Sequence, residues 1–268
     1  MRVLVTFAVE AEFAPWRKRH RFARNQIKIP RLAQNEPFSE VYEGGVAGTD
    51  VDVLLTGIGW QDMSGYIAKK VFRELLRRKP DSCISTGLAG GLNAQFRPGE
   101  IVAASELVFR GGGNKMYSNR RLLKVAETCG AKIAKTLITE SHIVSEASAK
   151  SAMSKFGDFV DMESYHILQI VSGTQIPAIA VRGISDAANE DLPLDFNRII
   201  GHDGTVRKGQ LIGELARSPQ KISRLIRFGW RSRKAAYSLA DFLDRFITSF
   251  VEYDGRVAAA AYGEVAAR

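Results

Sequence analysis

Apolar and polar positions along the chain alternate between two periods, short runs with a strand-like repeat and longer stretches with helical spacing. "MRVLVTFAV" predicts a first strand, followed by a polar loop and a short helix. "NQIKIPRL" and "EVYEGGVAGTDVDVLLTGIG" alternate and turn as hairpin strands do, with "GGVAGTD" at the turn. In "QDMSGYIAKKVFRELLRRK" the apolar Met63, Ile67, Val71 and Leu75 recur at helical spacing. "PDSCISTGLAGGLN" reads as a strand running into a glycine turn, and "GEIVAASELVF" as another strand. "RRLLKVAETCGA" is a helix ended by Gly130, "KIAKTLITESHIV" a strand and "SEASAKSAMSKF" a helix. "DMESYHILQIVSGTQ" is a further helix, and "IPAIAVRGISDAAN" the last strand with its loop. Strands alternating with helices predict an α/β fold built on a mixed sheet.

Beyond residue 205 the pattern changes. Ser218 and Pro219 suit an N-cap and a first helical position. Ile222, Leu225, Ile226 and Trp230 form one apolar stripe, which Leu239, Phe242, Leu243, Phe246 and Phe250 continue raggedly. Residues 1–205 are expected to form the catalytic domain and 206–250 a basic amphipathic extension separable from it. The alanine-rich 251–268 is expected to fray.

Composition narrows the class. The 268 residues are 45% hydrophobic and 25% charged, ordinary for a globular protein with one substantial core. Cys83 and Cys129 have no metal-type spacing, so a reducing, cytoplasmic compartment without disulfides is expected. The opening run is broken by Glu10 and Glu12 and does not read as a signal peptide, and no window approaches a membrane span. The net charge of +9 gathers at Arg17–Arg24 and again at Arg217–Lys234, so the tail could meet an anionic surface. Nucleic acid is not the expected partner, because few aromatic residues lie among those cations.

Several chemistries are excluded. "TGIGWQ" and "GLAGGL" do not spell GxGxxG, and neither GxxxxGK[ST] nor GxSxG occurs. His20, His142, His166 and His202 are scattered, which argues against a metal cluster. What remains is glycine-rich turns after strands, with carboxylates at the ends of elements: Glu12, Glu163 and Asp186. Carboxylates around a polar pocket suit general acid/base chemistry on a glycosyl bond.

"FAVEAE", "TGIG", "STGLAGGLNAQFRPGEIVAASELV", "VDMES" and "VRGISDAAN", in that order, resemble the nucleoside phosphorylase and nucleosidase superfamily over roughly residues 1–200. With the tail "GHDGTVRKGQLIGELARSPQKISRLIRFGWRSRKAAYSL" the likeness is greatest to the hopanoid-associated phosphorylases. The resemblance implies a three-layer fold with a central mixed sheet flanked by helices, here with a basic C-terminal helical extension. It implies a homo-oligomer that cleaves the N-glycosidic bond of a purine nucleoside, with adenine as the base and a lipid-linked 5′ side such as adenosylhopane. On the matching positions Asp186 serves N7 of the purine, Glu163 accepts hydrogen bonds from the ribose hydroxyls, and Met162 packs on the sugar. Glu12 positions or deprotonates the attacking water, and His142 and Ile143 line the base. An isosteric amide at Asp186 is expected to lower turnover by about 10²–10⁴ and leave folding almost untouched.

No cofactor is expected, and phosphate enters only as a co-substrate. The turn "ISTGLAGG" has Ser85 and Leu88 where the phosphorylases carry phosphate-binding Arg and Ser side chains. Backbone N–H groups around Gly87 and Gly90, or Arg182, could still receive an anion. Water and phosphate therefore both stand as nucleophiles, and a non-catalytic nucleoside sensor and a methylthioadenosine/S-adenosylhomocysteine-type nucleosidase are the alternative functions.

Overall fold

The computed structural model describes residues 1–25, 40–59, 63–200, 207, 209–210, 213–214, 218 and 220–266, with the backbone alone over 63–67 and 254–266. The strand expected from "NQIKIPRL", and Pro219, lie outside the described residues.

The first half of the chain is β1 (Arg2–Phe7), α1 (Glu10–His20), β2 (Ala23–Asn25), β3 (Val41–Val46), β4 (Thr49–Leu55) and α2 (Met63–Arg77). Then come β5 (Ser82–Ser85), β6 (Leu88–Gly91), β7 (Ile101–Phe109), β8 (Met116–Tyr117) and α3 (Arg120–Thr128). They are followed by β9 (Lys132–Thr139), α4 (Ala147–Met153), β10 (Phe159–Asp161), α5 (Ser164–Val171) and β11 (Ala178–Asp186). The last are α6 (Phe196–Ile199) and the long α7 (Lys221–Ala266).

The glycine turn expected after β5 is thus a two-residue break, Thr86–Gly87, between two strands. Between β3 and β4 the reversal rests on Ala47 at φ 49° and Gly48 at φ 76°, the two left-handed residues of a tight hairpin. Asn119 starts α3 by accepting from the N–H groups of Arg121 and Leu122, and Gly130, at φ 93°, follows its end.

The 11 strands run in the order β2-β3-β4-β1-β5-β11-β6-β10-β9-β7-β8. The sheet is mixed: β1 lies parallel to β4 and β5, while β3 lies antiparallel to β4. β11 is the hinge of the sheet. Its first residues pair with β5, Val181–Gly183 pair antiparallel with β7, and Gly183–Asp186 pair with β6. Since β7 also pairs with β9, the strands β11, β6, β10, β9 and β7 close on themselves. All nine residues of β11 are buried, as its uninterrupted apolar reading requires.

Alternation along β1 sends Val3, Val5 and Phe7 to one hydrophobic cluster and Leu4 to the other. The first cluster packs the sheet against α1, α3 and α7, and the second against α2 and α5, which makes three layers. The helical extension is part of this core. Leu239, Phe242, Leu243, Phe246, Ile247 and Phe250 of α7 are at most 3% exposed and join the cluster formed by Phe7, Phe13 and Trp16. The ragged continuation of the stripe is therefore a core face, and the 205/206 boundary does not separate two cores. The backbone of α7 runs on past 250 to Ala266, a stretch rich in helix-favouring alanine.

Polar contacts lock α1 to α7. Trp16 Nε1 donates to Asp244 Oδ1 at 2.7 Å, His20 Nε2 lies 2.6 Å from the same oxygen, and Arg19 bonds Asp244 and Asp241. Arg17 pairs with Glu10 and Arg24 with Glu40, so much of the N-terminal basic cluster is neutralised within the molecule. Replacing Phe246 by Ala should cost about 3–5 kcal/mol in a urea titration, the range for emptying a buried aromatic site. A loss under about 1 kcal/mol would mean that α7 is not part of the cooperative core.

Candidate active site

Three chain segments meet at the carboxyl end of β11: the start of α1, the β10–α5 junction and β11 itself. They surround a cavity of about 760 Å³ lined by Glu12, Gly90, Met162, Glu163 and Asp186, with His142 and Ile143 also on its wall. Its volume falls in the upper part of the usual range for small-molecule sites. Among the described residues no group of His, Cys, Asp and Glu is placed to hold a metal ion.

Glu12 occupies the third position of α1 and reaches back over the helix start. Its Oε2 accepts from Ala8 N at 3.0 Å and Val9 N at 3.4 Å, and its Oε1 from Leu88 N at 2.9 Å. Burial pushes its pKa above the ordinary glutamate value, opposed by those amides and by Arg182. Gly87, at φ 140°, permits the approach, because a Cβ there would sit 2.8 Å from Glu12 Oε2 and 3.2 Å from Arg182 Nη1.

Arg182, 1% exposed, is anchored on Asp161, with Nε at 2.9 Å and Nη2 at 2.7 Å from Oδ2. Asp161 also accepts from Thr139 Oγ1 at 2.7 Å and from Ser164 N at 3.1 Å. Arg182 Nη2 donates to Ser85 Oγ at 3.3 Å and lies 3.9 Å from Glu163 Oε2, while Nη1 is buried without a hydrogen-bond partner among the described residues.

Glu163 takes a hydrogen bond from Gly59 N at 3.1 Å, and this gives "TGIG" its physical meaning. Gly59, at φ 77°, turns its N–H toward the carboxyl and runs against the methyl of Met162. Burial first, then the Asp161 carboxylate, push the Glu163 pKa up to about 8 against the pull of Arg182.

Asp186 is aimed by a bulge. The β11–β6 register passes from Ile184↔Ala89 to Asp186↔Gly90, leaving Ser185 as the extra residue, a device that re-aims side chains beside active sites. Ser185 Oγ donates to Asp186 Oδ1 at 2.5 Å and the Lys150 ammonium to Oδ2. Gly90 is close beneath, where a Cβ would lie 3.1 Å from Oδ2.

The structure thus brings Glu12, Met162, Glu163, Arg182, Asp186, Gly87 and Gly90 together. Two expectations change. The glycine turn is no open anion nest, because Leu88 N is spent on Glu12 and the two glycines serve close approach to carboxylates. Ile143 is on the wall, but its backbone N–H and C=O are both held by the Asn197 amide at 2.8 and 2.9 Å, so only its side chain is left for a ligand. His142 is largely exposed at the rim, 3.8 Å from Glu140. Sequence reasoning missed two residues. Asp161 was visible inside "VDMES" as the neighbour of Glu163, but Lys150, in a Ser/Ala-rich helix, carried no mark of burial.

The Lys150 contact also overturns the expectation that an amide at Asp186 leaves folding untouched. Removing one partner of a buried ion pair strands the other charge.

Fold and site together define an α/β protein with a carboxylate-lined small-molecule cavity at the carboxyl end of its central strand. Residues 2–208 match the Phosphorylase superfamily, and the chain belongs to it. The 5′-methylthioadenosine/S-adenosylhomocysteine nucleosidase of Glaesserella parasuis is 28% identical over 185 residues, covering 60% of this chain and 78% of the relative. That of Anoxybacillus flavithermus is 27% identical over 183 residues, covering 59% and 77%. The fold is similar to that of the Neisseria meningitidis nucleosidase in complex with methylthio-immucillin-A, at TM-score 0.66 and 19% identity, with 92% of this chain and 99% of that one covered. It is similar as well to futalosine hydrolase of Helicobacter pylori, at TM-score 0.65 and 14% identity, covering 92% and 97%.

The raised Glu163 pKa has a signed consequence for stability. A carboxyl that ionises near 4.5 in the unfolded chain and near 8 in the folded one favours the folded state fully below the lower value. That contribution is lost as pH rises through the upper one. Glu163→Gln cannot ionise, so its melting temperature relative to wild type should climb between about pH 5 and pH 8. A difference that stays flat with pH would mean that Glu163 is already ionised when buried.

Proposed function

We propose that this protein is an enzyme that cleaves the N-glycosidic bond of a purine nucleoside, with adenine as the base and water as the nucleophile. The observation that carries the reading is the convergence of Glu12, Glu163 and Asp186, from three separate segments, on one cavity. The C1′–N9 bond breaks with its electron pair passing into the purine. Asp186 meets the imidazole edge of the base and relays to N7 a proton drawn from solvent. Glu163 accepts from the ribose hydroxyls and holds C1′ as it becomes oxocarbenium-like, with Met162 against the sugar. Water adds to C1′ and gives its proton to Glu12, which burial makes a stronger base than an exposed glutamate.

Water is favoured over phosphate because most donors near the turn already serve carboxyl groups, and the one Arg182 nitrogen left over, Nη1, is buried beside Glu12. The amides of Ala8, Val9 and Leu88 serve Glu12, and Arg182 serves Asp161. The curated relatives named above are nucleosidases, in agreement with this choice. A non-catalytic sensor would have no use for a buried carboxylate beside the reacting carbon. Glu12→Gln should lower release of free sugar from an adenine nucleoside by about 10²–10⁴, and phosphate should not accelerate the wild type. Ribose 1-phosphate as the main product would restore phosphorolysis.

The 5′ side of the substrate is proposed to be lipid-linked, as in adenosylhopane, with the enzyme working at a membrane surface. The observation in favour is the first half of α7. Phe228, Gly229, Arg233 and Tyr237 line the cavity, and the same side of the helix continues outward through Ile222, Ile226 and Trp230, exposed by 43%, 57% and 77%. Lys221, Arg224, Arg227, Arg233 and Lys234 accompany this stripe, Arg231 being paired with Glu190, and residues 221–240 contain no acid. Apolar residues flanked by cations suit an interface with anionic lipid, each cation contributing about 1 kcal/mol. No helix among the described residues is long and apolar enough to cross a membrane.

Removing α7 would dismantle the core, so the test is by point variants. The intact chain should sediment with anionic liposomes at low salt, and Ile226→Glu with Trp230→Glu should abolish this while cleavage of a soluble nucleoside persists. No binding by the intact chain would end the membrane reading and leave the chemistry standing.

A further inference from the structure

Lys150 is 0% exposed and lies on α4, outside the cavity wall. A buried ammonium is tolerated only where all three hydrogens find acceptors. Here they find Asp186 Oδ2, Ala187 O at 3.1 Å and Glu190 O at 2.9 Å. All three acceptors fall within residues 186–190, the segment that leaves β11 at the cavity. Ser185 Oγ lies 2.5 Å from the other Asp186 oxygen and 3.1 Å from Ala89 O, and its one hydroxyl hydrogen goes to the nearer, charged acceptor. Each oxygen therefore has one donor from the protein, and rotation of the carboxylate plane would break both bonds at once.

We propose that Lys150 is a positioning residue of the active site, fixing the plane of the Asp186 carboxylate and the backbone that follows it so that both oxygens face the base. Each oxygen keeps lone-pair capacity for a ligand, and two parallel acceptors match the exocyclic N–H of adenine and the N–H that N7 presents once it has taken up a proton. Lys150 touches no substrate atom in this arrangement. It acts only through Asp186 and the Ala187–Glu190 backbone. The proposal rests on the reading of Asp186 as the carboxylate that meets the base.

The test is a double-mutant cycle of Lys150→Met and Asp186→Asn, read by calorimetric binding of free adenine, by turnover of adenosine and by melting temperature. Each single change should weaken adenine binding by about tenfold or more, and the double variant should bind within about twofold of Asp186→Asn, because Lys150 has nothing left to position. The double variant should also melt above Asp186→Asn, which leaves the ammonium buried and unpaired. Adenine binding by Lys150→Met within about twofold of wild type, with binding lost in Asp186→Asn, overturns the role of Lys150 alone. Unchanged binding in Asp186→Asn itself overturns the reading of Asp186 and the inference with it. Losses that multiply in the double variant would make Lys150 a purely structural residue and overturn the proposal. Should Lys150→Met fail to fold, the melting comparison decides, and a double variant no more stable than Asp186→Asn overturns the pairing.

Discussion

The buried pair of Arg182 and Asp161 is the contact on which the rest of the site depends. It joins the middle of β11 to the end of β10, and it sets a buried guanidinium behind the cavity among Asp161, Glu163 and the loop carrying Gly87. Three carboxyl groups, Glu12, Asp161 and Glu163, share that one cation, and burial does not allow a full surplus of negative charge. The result is visible at Glu163, pushed up to about 8, and in the upward shift of Glu12. Lys150 and Asp186 form a second and separate unit, a one-to-one pair at the other end of the cavity.

This division has a chemical meaning. A glycosyl bond that breaks with oxocarbenium character places positive charge at the sugar and an electron pair on the base. The end with Glu12 and Glu163 is rich in carboxyl groups and short of cations, so it favours the first. The end with Asp186, Lys150 and Ser185 is balanced and hydrogen-bonded, which suits orientation and proton transfer at the second. Charge arranged in advance needs no reorganisation when the bond breaks.

Much of this was legible in the sequence, for physical reasons that can be named. β11 announced itself through "IPAIAVRGIS", because a strand buried on both faces has few alternatives to β-branched and small residues. Gly59 and Gly87 stood out because left-handed φ and close approach to a carboxylate exclude other side chains. Glu12, Glu163 and Asp186 were readable as an ordered set, although not as neighbours. Other features left no local mark. The bulge at Ser185 is a register shift between strands far apart in sequence, and Lys150 is a cation whose partner lies 36 residues away. The second half of α7 misled through its irregular stripe, because a helix wedged between α1, α3 and β11 buries more than one face.

That helix also explains how residues remote from the cavity reach the chemistry. Its first half supplies part of the cavity wall, and its second half grips α1 through Asp244, which receives Trp16 and faces His20 and Arg19. α1 begins at Glu10, and its first turn is tied to Glu12 by the amides of Ala8 and Val9. The position of the Glu12 carboxyl is therefore set from both ends of one helix, by local hydrogen bonds at its start and by packing on α7 at its finish. Since small displacements of a catalytic group cost large factors in rate, the proposed chemistry draws on the C-terminal helix even though none of its described carboxylates enters the cavity.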